Sequence, residues 1–142
     1  MKLKIKLLSS AAQLPRYAHP GDSGMDIAAI EDAVIKPGDW AVLPTGLSIE
    51  LPPGTEAQLR PRSGLAARQA ISMLNTPATI DEGYRGELKL ILVNLGKEDF
   101  IVTPGMRIAQ MVICPVFRVE IEESGTLSET PRAAAGFGST GV

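Results

Sequence analysis

Residues 75–87, NTPATIDEGYRGE, set an acidic pair, Asp81 and Glu82, just ahead of Gly83 and Tyr84. Pro77 stiffens the entry, and Gly83 and Gly86 let the backbone turn tightly at a hairpin tip. A carboxylate, an aromatic ring and open backbone amides on a rigid turn make a pocket. Such a pocket could pair with a flat polar ring and hold one water for attack. An apolar strand, LKLILVNL at 88–95, would anchor it.

Four other stretches could carry chemistry. PRSGLA at 61–66 offers a guanidinium, Arg62, a hydroxyl, Ser63, and a glycine amide, Gly64. Ahead of a short helix this pattern suits an anion, and Arg62 could pair with phosphate oxygens. The plain alternative is a helix start with a surface arginine. GDSGMDIAA at 21–29 carries Asp22, which reads as a turn former, and Asp26. An acid flanked by Met25 and Ile27 at a buried strand start needs a partner, so Asp26 is the better functional candidate. A carboxylate there could serve a hard cation such as magnesium. GMRIAQ at 105–110 puts Gln110 inside an apolar strand, either facing outward on an edge or aimed into a cleft. GFGSTG at 136–141 brings amides, including that of Gly138, and two hydroxyls, Ser139 and Thr140. It is not a phosphate-binding Walker loop, which needs Gly-Lys-Ser/Thr between a strand and a helix.

The elements that must position these groups read as β throughout. LKIKLL (3–8), TEAQLR (55–60), RIAQMVICPV (107–116) and FRVEIEE (117–123) read as strands, the first, second and fourth alternating cleanly. The stretch 34–51 reads as two strands around Pro37-Gly38-Asp39, with a second break at Pro44. Turn signals recur at the spacing of a sandwich or barrel. SGLAARQA (63–70) is one short helix. The expectation is a single all-β domain, jelly-roll or Greek-key, over 1–123. From Ser124 to the end the chain is small, polar and Gly-rich, a flexible arm. Arg132 and Phe137 favour a lid that orders over a ligand above a plain disordered terminus.

Bulk properties narrow the function further. The 142 residues are 44% hydrophobic, enough for one domain with a core. A net charge of −2 with no basic run argues against nucleic-acid binding. The single cysteine, Cys114, excludes an internal disulfide and a cysteine zinc site, and the single histidine, His19, reads as a loop residue. No secretory h-region or membrane-spanning run is present, which points to the cytoplasm.

Taken together, GMDIAA, PRSGLA, ATIDEGYRGE, GMRIAQ and RAAAGFGSTG, in that order over residues 24–141, resemble the five motifs of the homotrimeric deoxyuridine triphosphatase (dUTPase) family. The resemblance implies a jelly-roll subunit in a threefold homotrimer. Each active site would draw on all three subunits, with the arm closing over a neighbour's site. It implies Mg2+-assisted attack of water on the α-phosphorus of dUTP, giving dUMP and pyrophosphate.

Residue by residue, the resemblance makes Asp81 the base that activates the water. An aspartate is ionised at neutral pH and can accept a proton without special tuning. Tyr84 would pack under the deoxyribose and exclude a 2′-hydroxyl. Asn75 and the hairpin backbone would read uracil. Arg62, Ser63 and Gly64 would grip phosphates, and Gln110 would lie near the α-phosphate. Asp26 would hold waters of the magnesium shell. Arg132 would reach the γ-phosphate, Phe137 would cap uracil, and Gly138, Ser139 and Thr140 would complete the phosphate contacts. Ala133 and Ala135 stand where the family usually has glycine, Met106 where aspartate is frequent, and Ala78 where glycine is frequent. Two rivals remain at this point. One is a dCTP deaminase, or a bifunctional deaminase–dUTPase, using Glu82. The other is a non-catalytic jelly-roll trimer.

Overall fold

The computed structural model of the chain describes residues 1–136. Its strands are β1 (Lys4–Leu7), β2 (Arg16–Tyr17), β3 (Met25–Ala28), β4 (Ala33–Ile35), β5 (Trp40–Glu50) and β6 (Thr55–Arg60). After helix α1 (Ser63–Gln69) come β7 (Ile71–Met73), β8 (Ala78–Ile80), β9 (Glu87–Asn94), β10 (Phe100–Val102) and β11 (Arg107–Pro115). One sheet runs β1-β5-β9-β7 and the other β2-β3-β11-β6-β8, with β10 and β4 as a separate pair. All the paired strands are antiparallel. Among the described residues the result is an all-β, jelly-roll-like sandwich with one short helix and no closed barrel.

Alternation sorts side chains between core and surface. In β6, Thr55, Ala57 and Leu59 are buried while Glu56, Gln58 and Arg60 are partly exposed. Across the second sheet, Met25, Met111, Leu59 and Ala78 line up in register on the core face. Burying a side chain the size of Met111 or Leu59 contributes about 1.5–3 kcal/mol. The next row, Arg16, Asp26, Gln110 and Arg60, is also in register, across β2, β3, β11 and β6. The apolar row therefore fixes where the polar row falls.

Three expectations change. β5 runs unbroken through Pro44, where the ladder to β9 shifts register instead of ending. Gly46, at φ 66°, lets the strand bend while pairing resumes at Ser48. Residues 81–86 do not close a hairpin. β8 pairs with β6, and β9 pairs with β5 and β7, so the turn crosses between sheets. Residues 117–123 form no strand. Their alternation is real, but Phe117, Val119 and Ile121 are 91%, 79% and 92% exposed, with no neighbouring strand to bond them. Among the described residues no helix is long and apolar enough to cross a membrane.

Candidate active site

Asp26 is the centre of the polar row. Its side chain, 19% exposed, accepts from Arg62 Nε at 2.8 Å and from Arg107 Nη1 at 3.0 Å. Arg62 Nη2 lies 3.5 Å from the second carboxylate oxygen, and Arg62 Nη1 donates to the Arg107 carbonyl at 3.2 Å. The partner that a half-buried acid requires is thus a pair of guanidiniums.

Gln110 sits on β11, between β3 and β6, so it is not an edge residue. Its Nε2 donates to the Pro61 carbonyl at 2.9 Å. Its Oε1 lies against Gly24, where an added Cβ would come within 2.2 Å. Ser63 and Gly64 open α1 behind an extended Arg62, with no side-chain cap and no acid in the first turn. Asp22 accepts from the His19 backbone N–H at 2.8 Å and so holds its turn. Asp26, Arg62, Ser63, Gly64 and Gln110 line one cleft of about 520 Å³, together with His19 and Asp22.

Arg107 lines the same cleft, and motif reading passed over it. Strict alternation puts residues three apart on opposite faces, so Arg107 should face away from Gln110. A bulge defeats this. Arg107 pairs with Ala28 and Ala109 with Ile27, so β11 carries one extra residue there. Ile108 and Ala109 are both buried, and Arg107 and Gln110 share a face. The Pro104-Gly105 turn just before the strand, with Gly105 at φ 81°, is the only hint the sequence holds.

The other candidates lie elsewhere. Asp81, exposed, lines a separate hollow of about 210 Å³ with Gly54, Glu56, Glu82 and Arg118. Ile80 pairs with Ala57, so Asp81 falls beside Glu56, at the far end of β6 from Arg60 and Arg62. The rise from Glu56 to Arg60 alone is roughly 13 Å at the usual strand spacing. Glu82 accepts from the Gly54 N–H at 2.9 Å and lies 4.0 Å from Arg118, so it ties the turn to its neighbour. Tyr84 is 44% exposed and donates to the Glu87 carbonyl at 3.0 Å. Neither Gly83 nor Gly86 has a positive φ. Gly86 is needed instead because the ring covers it: an added Cβ would sit 2.3 Å from the Tyr84 hydroxyl oxygen. Asn75 is exposed in the loop after β7.

Arg132 lies on an exposed turn and donates to the Ala135 carbonyl at 3.2 Å. Ala133 has φ 44°, a left-handed conformation that glycine adopts freely and alanine holds at about 1–2 kcal/mol. Phe137, Gly138, Ser139 and Thr140 fall outside the described residues.

Glu50 has a displaced acidity. A hydrogen bond from Lys4, at 2.7 Å, and the charge of that ammonium hold its carboxyl below the ordinary value. That pair lies on β1 and β5, away from the cleft.

The family model described as dUTPase matches residues 10–141. A deoxyuridine 5′-triphosphate nucleotidohydrolase of Gloeothece citriformis is 61% identical, over 100% of this chain and 98% of its own. One from Alkaliphilus metalliredigens is 59% identical, over 99% and 97%. Among solved structures, the dUTPase of Staphylococcus bacteriophage 80alpha with dUPNHPP superposes with TM-score 0.90 at 30% identity, covering 99% of each chain. A dUTPase mutant of phage phi11, reported to reveal the coordination of a structural Mg(II) ion, shares the fold at TM-score 0.84 and 24% identity, covering 91% of this chain and all of its own.

Proposed function

The chain belongs to the dUTPase family and hydrolyses dUTP to dUMP, and we propose that its two separated hollows are halves of one site, supplied by different copies of the chain. The observation that carries this is the placement of Asp81 and Arg62 at opposite ends of β6. Attack requires reacting atoms about 3–3.5 Å apart. A base at one end of the strand cannot activate water against a phosphate gripped at the other. A neighbouring copy that brings its Asp81 to this chain's cleft removes the difficulty.

The assembly is a homotrimer, in line with closed cyclic symmetry. The exposed Phe117, Val119 and Ile121 support it, since large apolar side chains in a row gain from a second copy's cover. The arm from residue 124 onward closes over a neighbour's site. There Arg132 meets the γ-phosphate, Phe137 covers uracil, and Gly138, Ser139 and Thr140 add phosphate contacts.

Within the completed site, Asp81 accepts a proton from water as its oxygen bonds to the α-phosphorus. The bond from that phosphorus to the bridging oxygen breaks, and pyrophosphate leaves with the electron pair. Ser63, Gly64 and the amide of Gln110 hold phosphate oxygens, donors that stabilise charge as it develops. Tyr84 packs under the sugar, and Asn75 with the backbone of the 81–86 turn pairs with the base.

A divalent cation goes with this chemistry, and the donor set decides how the chain would meet it. Among the described residues no group of three or more His, Cys, Asp or Glu forms a cage. Asp26 already accepts from two arginines, whose positive charges disfavour direct contact with a second cation. These residues fit Mg2+ that arrives on the triphosphate and touches Asp26 through its hydration shell. When bound, Mg2+ would neutralise charge on the phosphate oxygens. The reaction takes place in the cytoplasm, with dUTP as the small-molecule partner and no nucleic acid or membrane.

Glu82 holds its turn to Gly54 through one carboxylate oxygen, which favours a structural part over a deaminase's acid–base role. The test is pyrophosphate release with Mg2+ from dUTP, dTTP, dCTP and UTP. Release confined to dUTP is the expected result. Ammonia from dCTP, or silence on all four from a folded trimer, would overturn the reading.

A further inference from the structure

We propose that Arg107 is a triphosphate-binding residue of the cleft, beside an Arg62 that Asp26 holds in place. The proposal rests on the dUTPase reading of that cleft and goes beyond it by dividing labour between two guanidiniums.

A guanidinium carries five N–H donors. Arg62 directs Nε and Nη2 at the Asp26 carboxylate and Nη1 at the Arg107 carbonyl. Three donors are engaged, and the side chain is 28% exposed. Arg107 gives only Nη1 to Asp26, at 3.0 Å, and its side chain is 57% exposed. Among the described residues its other four donors have no partner. The bulge in β11 turns it onto the cleft face beside Gln110. Bulges commonly re-aim a side chain in this way next to active sites.

The charge balance points the same way. The cleft walls hold Asp22 and Asp26 against Arg62 and Arg107. These four cancel. Without Arg107 the walls carry one net negative charge and repel a polyanion. With it, Asp26 keeps Arg62 in place while Arg107 can fork across two phosphate oxygens.

The test is calorimetric binding of inorganic tripolyphosphate with Mg2+ to wild-type protein, Arg107→Gln and Arg107→Lys, each also in an Asp26→Asn background. Unfolding temperature is measured alongside. A charge-assisted hydrogen bond is worth about 1.5–3 kcal/mol, so Arg107→Gln should weaken binding about 10- to 100-fold. Arg107→Lys should recover part of the loss, as a point charge without the fork. The loss should persist with Asp26→Asn. Unchanged affinity in Arg107→Gln would overturn the proposal. So would a loss that vanishes in the Asp26→Asn background, because Arg107 would then act only by holding Asp26. Wild-type protein that binds tripolyphosphate in this Arg107-dependent way but leaves dUTP intact would support the proposal and overturn the hydrolase reading instead.

Discussion

Gly24→Ala is the sharpest perturbation of the cleft. Gly24 has no positive φ, so alanine meets no backbone penalty there. The conflict is with one side chain. The new Cβ would sit 2.2 Å from Gln110 Oε1 and 3.2 Å from its Cδ, with no other residue as close. The amide is the far end of a flexible side chain, so it swings away and the fold survives. Gln110 then loses its 2.9 Å hydrogen bond to Pro61. That bond is worth about 0.5–1.5 kcal/mol, which moves the unfolding temperature by only a few degrees. The catalytic loss should be larger. A donor aimed at developing phosphate charge contributes about 10²–10³ in kcat, so kcat should fall roughly 100-fold. The assay is pyrophosphate release over a range of dUTP, with kcat and KM separated. Its control is Gly24→Ala combined with Gln110→Ala. Once the amide is gone, alanine at 24 has nothing to displace, and the double variant should match Gln110→Ala alone. Additive losses, or a normal kcat in Gly24→Ala, would refute the argument that Gly24 exists to seat this amide.

Asp81→Asn should bind nucleotide yet turn over about 10²–10⁴-fold more slowly. Co-expressed with Gln110→Ala it should regain measurable activity, since mixed trimers contain sites with both residues intact; no recovery in verified mixed trimers would count against shared sites. Gly86→Ala should displace the Tyr84 ring, whose hydroxyl oxygen lies 2.3 Å from the new Cβ. The preference for dUTP over UTP in kcat/KM should then fall by about 10-fold or more, and an unchanged ratio would detach Tyr84 from sugar selection. Lys4→Met should let the Glu50 carboxyl rise to the ordinary glutamate range in an NMR titration, because the ammonium is what lowers it. The sign follows: this pair's small contribution to stability is present above the ordinary glutamate range and is lost as pH falls through the lowered folded value. A Glu50 titration that ignores Lys4→Met would remove the pair as the cause.

Much of the fold was written locally. TEAQLR reads as a strand from its alternation, and β6 occupies that stretch. SGLAARQA reads as a helix, and α1 fills it up to Gln69, ending where Ala70 turns left-handed. Local pattern misled where the outcome depended on a partner. FRVEIEE alternates as well as TEAQLR, but a strand needs a neighbour for its amides, and the chain by itself offers none. The same blindness made a hairpin of 81–86. Turn chemistry says that the chain reverses, not which sheet receives it.

Asp26 stood out from residue type and setting, as an acid at a buried strand start; for Arg62 and Gln110 the local sequence left a plain surface reading open beside the functional one, and only the resemblance of the motifs chose between them. Their meeting was not legible. Asp26 and Gln110 face each other because β3 and β11 pair in one register, fixed by Met25 and Met111 packing in the row beneath. Arg107 joins them through a single inserted residue, which alternation cannot foresee. The sequence by itself determined which groups are available and which short elements carry them, since both are properties of neighbours along the chain. Only the tertiary structure decided which groups share a cleft, and that Asp81 and Arg62 lie toward opposite ends of β6. Register, bulges and sheet order come from packing between distant segments.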